Sequence, residues 1–335
     1  DQWEPWQKHW VQSHNDSMLT SYSDEMMYIK FLQFIFYRQW DHIVQYAHEK
    51  GLQIVGDVPF YVDHHSMDVW ANQADFCLDE QGQPTFVAGC PPDYFSADGQ
   101  RWGMPIYNFE AQKKNGYRFW MQRMSWMQMC FDVVRIDHFR AFDTYWRIPV
   151  SCPTAVEGDW IEAPGKDILA KLISKYPKEC WIAEDLGEIR PEVLELEKQF
   201  GIYGMNVLLF QMESKELRRS MLKDQVVYTG THDNMTLEQA YQTYSYNKKV
   251  RLRRFFKTRG YDHRGFHDLV CHYALDGKAD VIILPVWDVC GYKETARINF
   301  PGTINEKNWT WKLKNLKQIE KDMDKVKAWI QQAER

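Results

Sequence analysis

Apolar and polar positions follow two rhythms along this chain. From residue 26 to 50 the apolar side chains Ile29, Leu32, Phe36, Trp40, Ile43, Val44 and Ala47 recur at steps of three and four, which predicts one face of a helix. Gly51 follows as its expected C-cap. Short apolar runs then take over, at 52–55, 133–136, 181–183, 205–210, 226–228 and 281–286. Runs this short, bounded by turn signals, read as strands buried on both faces, as in parallel sheets. Helical patterns fill the intervals at 110–129, 166–175, 191–200, 247–258 and 263–276, and Pro191 and Gly201 bracket the third of these in the usual order of start and stop. A charged stretch at 313–334 predicts an amphipathic helix packed on the outside.

Six strands alternating with helices predict the α/β class with a parallel sheet. A closed (β/α)8 barrel of the TIM type needs eight strands, and nothing in residues 1–25 reads as one of the missing two. The chain is therefore expected to cover about strands 3 to 8, with 1–335 as the C-terminal part of a single catalytic barrel domain in a longer protein. Two stretches without a regular pattern, about 61–108 and 143–165, are expected as irregular inserted loops, which at such length are usually functional.

Composition narrows the classes. With a net charge of -5 over 335 residues, the chain lacks the basic balance of a nucleic-acid binder. No apolar stretch approaches the roughly 18 residues of a membrane span. Seven cysteines, with no Cys-x-x-Cys pair, fit neither a disulfide scaffold nor a zinc site and read as buried thiols of a reducing cytoplasm. Because the chain starts at Asp1 rather than Met, any upstream targeting signal is out of view. The 15 Trp, 18 Tyr and 18 Phe are expected mostly in the core, but their faces also suit stacking on sugar rings.

Three predicted strands end in acids: Asp137-His138, Glu184-Asp185 and His232-Asp233. In an α/β barrel the C-terminal strand ends gather on one face, and two carboxylates there are what glycosidic chemistry requires. Arg135 and Asp137 are two residues apart on one strand, so their side chains point the same way. A nearby guanidinium favours a charged carboxylate, which suits a nucleophile. Glu184, if shielded beside other acids, should have a raised pKa and suit a general acid. Asp233 suits stabilisation of positive charge on a sugar ring or a grip on its hydroxyls, and His138 and His232 can donate to hydroxyls. Asp57 ends the first strand and can orient Arg135 or touch the sugar. Either catalytic acid alone reads equally well as a structural ion pair or helix cap; three at equivalent strand ends weaken that reading. A metal site among these residues lacks a close histidine pair. No phosphate loop or Gly-x-Gly-x-x-Gly occurs, so no cofactor is expected.

The strings GDVPFYV, VAGCPPDYFSADGQRWG, VRIDHFRAFDTYWRIP, SCPTAVEGDW, IAEDLG, VVYTGTHDN and ARINFPG resemble those of 4-α-glucanotransferases, the amylomaltases or disproportionating enzymes of glycoside hydrolase family 77. The likeness runs in order from about residue 26 to 311. It implies Asp137 as nucleophile, Glu184 as acid/base and Asp233 as transition-state stabiliser. It implies Asp57, Arg135 and His232 around the central sugar, Asn299 as a further sugar contact, and Tyr94, Phe95, Gln100 and Trp102 in a loop that covers the acceptor side; Asp93 and His138 are expected to bind substrate as well.

The activity so implied is retaining transfer of α-1,4-glucan segments between maltooligosaccharides. No cofactor, nucleic acid or membrane is expected to be involved, and the expected setting is cytoplasmic. A hydrolase with the same residues and a fragment that only binds glucan are the alternatives. Oligomeric state is not legible. Two departures stand out. Met235 follows the THDN string where the family usually has Asp, and is expected to alter packing or subsite preference. The family's first two barrel strands and a Ser-Pro-Tyr sugar site have no match, so residues 1–335 alone are expected to be inactive and poorly stable, because an open barrel exposes strand edges.

Overall fold

The computed structural model describes residues 22–92, 96–213, 225–303 and 305–335. The expected site residues Asp93, Tyr94 and Phe95 lie outside them. The chain divides into two units, one running to Ile202 and the other from Tyr203 to Arg335.

The first unit opens with α1 (Ser23–Glu49). Its end is built as expected around Gly51, whose φ is +70°. Gly51 N–H reaches His48 O and Leu52 N–H reaches Ala47 O, the paired bonds of a Schellman turn. Those bonds hold Leu52 at the helix end, and the first strand therefore starts later than the apolar run suggests. It is β1 (Val55–Val58), not 52–55. Gly56 lies against Phe131, where a Cβ would come within 2.3 Å of the ring, so only glycine fits this close approach. No residue of α1 is buried among the described residues. Its contacts include Tyr37 and Trp40, which meet Trp126 and Phe131 edge-on, and His48, which pairs with Asp132.

Beyond β1 come α2 (Met67–Ala71), β2 (Phe86–Cys90) and β3 (Gln100–Pro105). The expected helix 110–129 is two helices, α3 (Phe109–Lys114) and α4 (Arg118–Cys130). Gly116 and Tyr117 between them are both left-handed, and Asn115 Oδ1 accepts the Arg118 N–H to start the second helix. Then follow β4 (Val133–Ile136), β5 (Thr144–Pro149), β6 (Asp159–Glu162), α5 (Gly165–Lys175), β7 (Trp181–Ala183) and α6 (Pro191–Phe200). Pro191 opens α6 and left-handed Gly201 closes it, as expected.

β1, β4 and β7 pair in parallel, with Asp57 opposite Arg135 and Ile136 opposite Ala183. The stretches expected to be irregular are not: they carry an antiparallel sheet of order β3-β2-β5-β6. The core of this unit is strongly aromatic. Phe60 touches the rings of Tyr107, Trp120 and Phe142, and the Tyr107 hydroxyl donates to Phe60 O, so its polar end is satisfied although the ring is buried.

The second unit holds β8 (Tyr203–Val207), α7 (Leu208–Glu213), β9 (Gln225–Tyr228), α8 (Leu237–Thr243), α9 (Tyr246–Lys257), α10 (Phe266–Leu275), β10 (Val281–Ile283), α11 (Val286–Val289) and α12 (Lys317–Gln332). β8 and β10 are shorter than the apolar runs that announce them, because Leu208 and Val286 already belong to helices. β9 pairs in parallel with β8 and β10. No helix among the described residues is long and apolar enough to cross a membrane.

Candidate active site

In the first unit the ends of β1, β4 and β7 place Asp57, Asp137 and Glu184. Arg135, only 8% exposed, sits between two of them. Its Nη1 donates to Asp57 Oδ1 at 2.9 Å and Oδ2 at 2.8 Å and lies 2.9 Å from Asp137 Oδ1. Register explains the grip. Asp57 and Arg135 are direct neighbours across the parallel pair, and Asp137 is two residues further along the same strand. Burial works against the Arg135 charge, but Asp57, Asp137 and Glu184 outweigh it and raise its pKa. The guanidinium therefore stays charged and holds Asp137 in one orientation.

Glu184 is stapled to the end of β4. Its N–H donates to Ile136 O at 3.0 Å, and its own carbonyl accepts the Phe139 N–H at 3.1 Å. Its carboxylate Oε2 accepts the backbone N–H of His138 at 2.9 Å. That last bond needs His138 in the left-handed region, at φ +51°, a conformation that costs a non-glycine residue about 1–2 kcal/mol and is typical of functional positions. Burial first, and the neighbouring Asp137 second, push the Glu184 pKa up to about 8. Burial pulls His138 down to about 4, so its imidazole is neutral at ordinary pH. Trp102 meets the His138 ring edge-on at 4.9 Å and donates its indole N–H to Gln100 Oε1. Trp102 thus reaches His138 from β3, with Gln100 holding its indole.

In the second unit the turn after β9 carries His232 and Asp233. Asn299 Nδ2 donates to Asp233 Oδ1 at 2.7 Å, and Asn299 N–H donates to His232 O at 3.1 Å. His232 Nε2 lies 3.5 Å from Asp233 Oδ1. Met235 is exposed just beyond the turn.

Two residues near these were not singled out from the sequence. Arg297 donates to Asp233 O and Asn299 O; its place in ARINFPG, two residues before Asn299, was the signal that could have found it. Trp309, left-handed and 64% exposed, lies 5.0 Å from the His232 ring, and nothing in its local sequence marks it. Among the described residues no three His, Cys, Asp or Glu side chains gather as metal ligands would.

A family profile described as 4-alpha-glucanotransferase matches residues 1–318. The chain belongs to the 4-alpha-glucanotransferase family. It is 41% identical over 300 residues to the 4-alpha-glucanotransferase of Thermus thermophilus, covering 87% of this chain and 60% of that protein. It is 36% identical over 318 residues to a chloroplastic/amyloplastic 4-alpha-glucanotransferase of Arabidopsis thaliana, covering 93% of this chain and 55% of that one. The chain thus spans about 60% of the length of the curated family members it matches.

Among solved structures, the amylomaltase of Streptococcus agalactiae in complex with acarbose superposes with a TM-score of 0.91 at 28% identity, covering all of this chain and 68% of that one. The fold class is that expected, a (β/α)8 barrel in part, with its parallel strands followed by helices.

Proposed function

We propose that the full-length protein carrying this chain is a retaining 4-alpha-glucanotransferase acting on α-1,4-glucans. The observation that carries this reading is the pair at the ends of β4 and β7: Asp137 held by Arg135, beside Glu184 with its pKa raised to about 8. Two carboxyls with opposed environments divide into nucleophile and acid. Asp137 attacks the anomeric carbon of the donor while Glu184 gives its proton to the departing oxygen. A β-linked glycosyl-enzyme results. The 4-hydroxyl of a second glucan then loses its proton to Glu184 and attacks the same carbon, restoring Asp137 and the α-linkage.

Asp233 stabilises the positive charge that develops on the sugar, and Asp57, Arg135, His138, His232 and Asn299 hold its hydroxyls. Gln100 and Trp102, with Asp93, Tyr94 and Phe95, offer the acceptor a face and keep water out. These roles rest on the resemblance and on strand position. Residues 1–335 are read as one part of a single catalytic domain. The cysteine pattern of the sequence, without a Cys-x-x-Cys pair, suits a cytoplasmic setting.

The test is incubation of the full-length protein with maltotriose alone. Glucose plus maltotetraose and longer chains, with reducing ends constant, are the expected products. Rising reducing ends with glucose and maltose would mean hydrolysis and overturn the transfer reading. Acarbose, bound by the Streptococcus agalactiae amylomaltase, is expected to inhibit.

Glu184 must carry a proton in the first step, and the folded protein keeps it there up to about pH 8 instead of the ordinary 4.5. kcat/KM is therefore expected to hold through neutrality and to fall about tenfold per unit as pH rises past that value. A decline centred near pH 5 would remove Glu184 from the acid role. Trp102→Ala takes away the ring beside His138 and is expected to weaken acceptor capture by about five- to tenfold, read as a larger hydrolysed fraction in the same maltotriose assay.

A further inference from the structure

The turn that carries His232 and Asp233 is well ordered within itself. Asn234 Oδ1 accepts both the backbone N–H and the hydroxyl of Thr231, at 2.8 and 3.0 Å. Thr231 Oγ1 in turn accepts the Asp233 N–H. These bonds shape the turn but do not attach it to the scaffold beneath.

Asn299 and Arg297 hold its middle, at His232 O, Asp233 Oδ1 and Asp233 O, and its two ends are held by Asp288 in α11, which is 1% exposed. Its Oδ2 accepts the hydroxyl of Thr229 at 2.8 Å, and its Oδ1 accepts the backbone N–H of Leu237 at 2.9 Å. Thr229 follows the last residue of β9, and Leu237 is the first residue of α8. One buried carboxylate thus spans both ends of the segment. A Cβ at Gly230 would meet Asp288 Oδ2 at 3.4 Å, in ordinary van der Waals contact. α8 has a separate anchor: Glu238 Oε1 accepts the N–H groups of Phe266 and His267 and pairs with His267 Nδ1. The helix therefore does not depend on Asp288 alone for its place in the unit.

We propose that Asp288 is a positioning residue, clamping both ends of the turn and so fixing where His232 and Asp233 stand. The proposal rests on the roles given to those two residues above. It also predicts how chemistry at position 288 will behave. An asparagine there can keep both ends, its oxygen accepting from Leu237 N–H and its amide donating to Thr229 Oγ1, which as a hydroxyl can accept. An alanine keeps neither.

The test compares the full-length protein with its Asp288→Asn, Asp288→Ala and Thr229→Val variants, by amide hydrogen exchange without ligand and by kcat and KM on maltotriose. Asp288→Ala is expected to speed exchange across 229–237 by roughly tenfold or more while the rest of the unit changes little. Its kcat is expected to fall about 100-fold, the scale on which small misplacements are felt, with a much smaller change in KM. Asp288→Asn should stay within about fivefold of the parent, and Thr229→Val, which frees one end only, should fall between.

Unchanged exchange in the turn, equal acceleration throughout the unit, or an asparagine variant as slow as the alanine one would each overturn the clamp. If Asp288→Ala does not fold, the asparagine and Thr229→Val variants carry the comparison. A parent without transfer activity would overturn the functional reading, and the exchange comparison would still decide the clamp.

Discussion

Asp137→Asn is expected to lower transfer by about 10⁴-fold or more, the scale on which loss of a covalent nucleophile is felt. The amide is almost the same size and can still accept a bond from Arg135, which lies 2.9 Å from the Asp137 carboxylate. Folding should therefore be close to that of the parent, and the loss is chemical. The product of rescue gives a sharper outcome than the rate. With an α-glucosyl fluoride donor and added azide, the anion can take the place of the missing carboxylate on the β face. The expected product is the β-glucosyl azide. An α-azide, or a variant within tenfold of the parent, would remove Asp137 from the nucleophile role.

Glu184→Gln is expected to slow transfer between maltooligosaccharides by about 10²–10⁴-fold, with the opposite signature. Fluoride needs no proton to leave, so the glucosyl fluoride should still load Asp137, and azide should then attack from the α face to give the α-azide. The same substitution has a consequence for stability. Burial and Asp137 hold the Glu184 pKa at about 8 against an ordinary 4.5. The folded state thus binds this proton more tightly than the unfolded chain does. That linkage supports the fold fully below about pH 4.5 and is lost as pH rises through about 8. A neutral glutamine escapes the loss. Glu184→Gln should therefore be more stable than the parent above pH 8, by about 1–2 kcal/mol, as a higher unfolding midpoint in denaturant. Lower stability at pH 9 would mean that Glu184 is not a strained carboxylate.

Much of the first unit's parallel sheet is legible in the amino-acid pattern. The runs ending at Ile136 and Ala183 form β4 and β7 at the expected residues, because a short apolar run closed by an acid is a local pattern. The pairing of Arg135 with Asp137 follows from the two-residue repeat of a strand. Helix ends marked by Gly51, Pro191 and Gly201 are also readable, since caps depend on neighbours in sequence.

The sheet within 61–108 and 143–165 is not readable in the same way. β2 pairs with β3 on one side and with β5, far along the chain, on the other, and no local period announces partners so distant. The break at Asn115–Tyr117, by contrast, has a local signal: the apolar pattern of 110–129 lapses over Gln112-Lys113-Lys114-Asn115-Gly116, and Asn-Gly is a turn dipeptide.

Which acids stand at strand ends, and what reaction class they suit, is written in the order of residues, because side-chain chemistry and strand periodicity are local. How those acids are tuned is not. The left-handed turn of His138 toward Glu184, the burial that raises the Glu184 proton affinity, and the reach of Asp288 to both Thr229 and Leu237 all join residues far apart in the chain. Burial and hydrogen-bond geometry exist only once distant segments have packed.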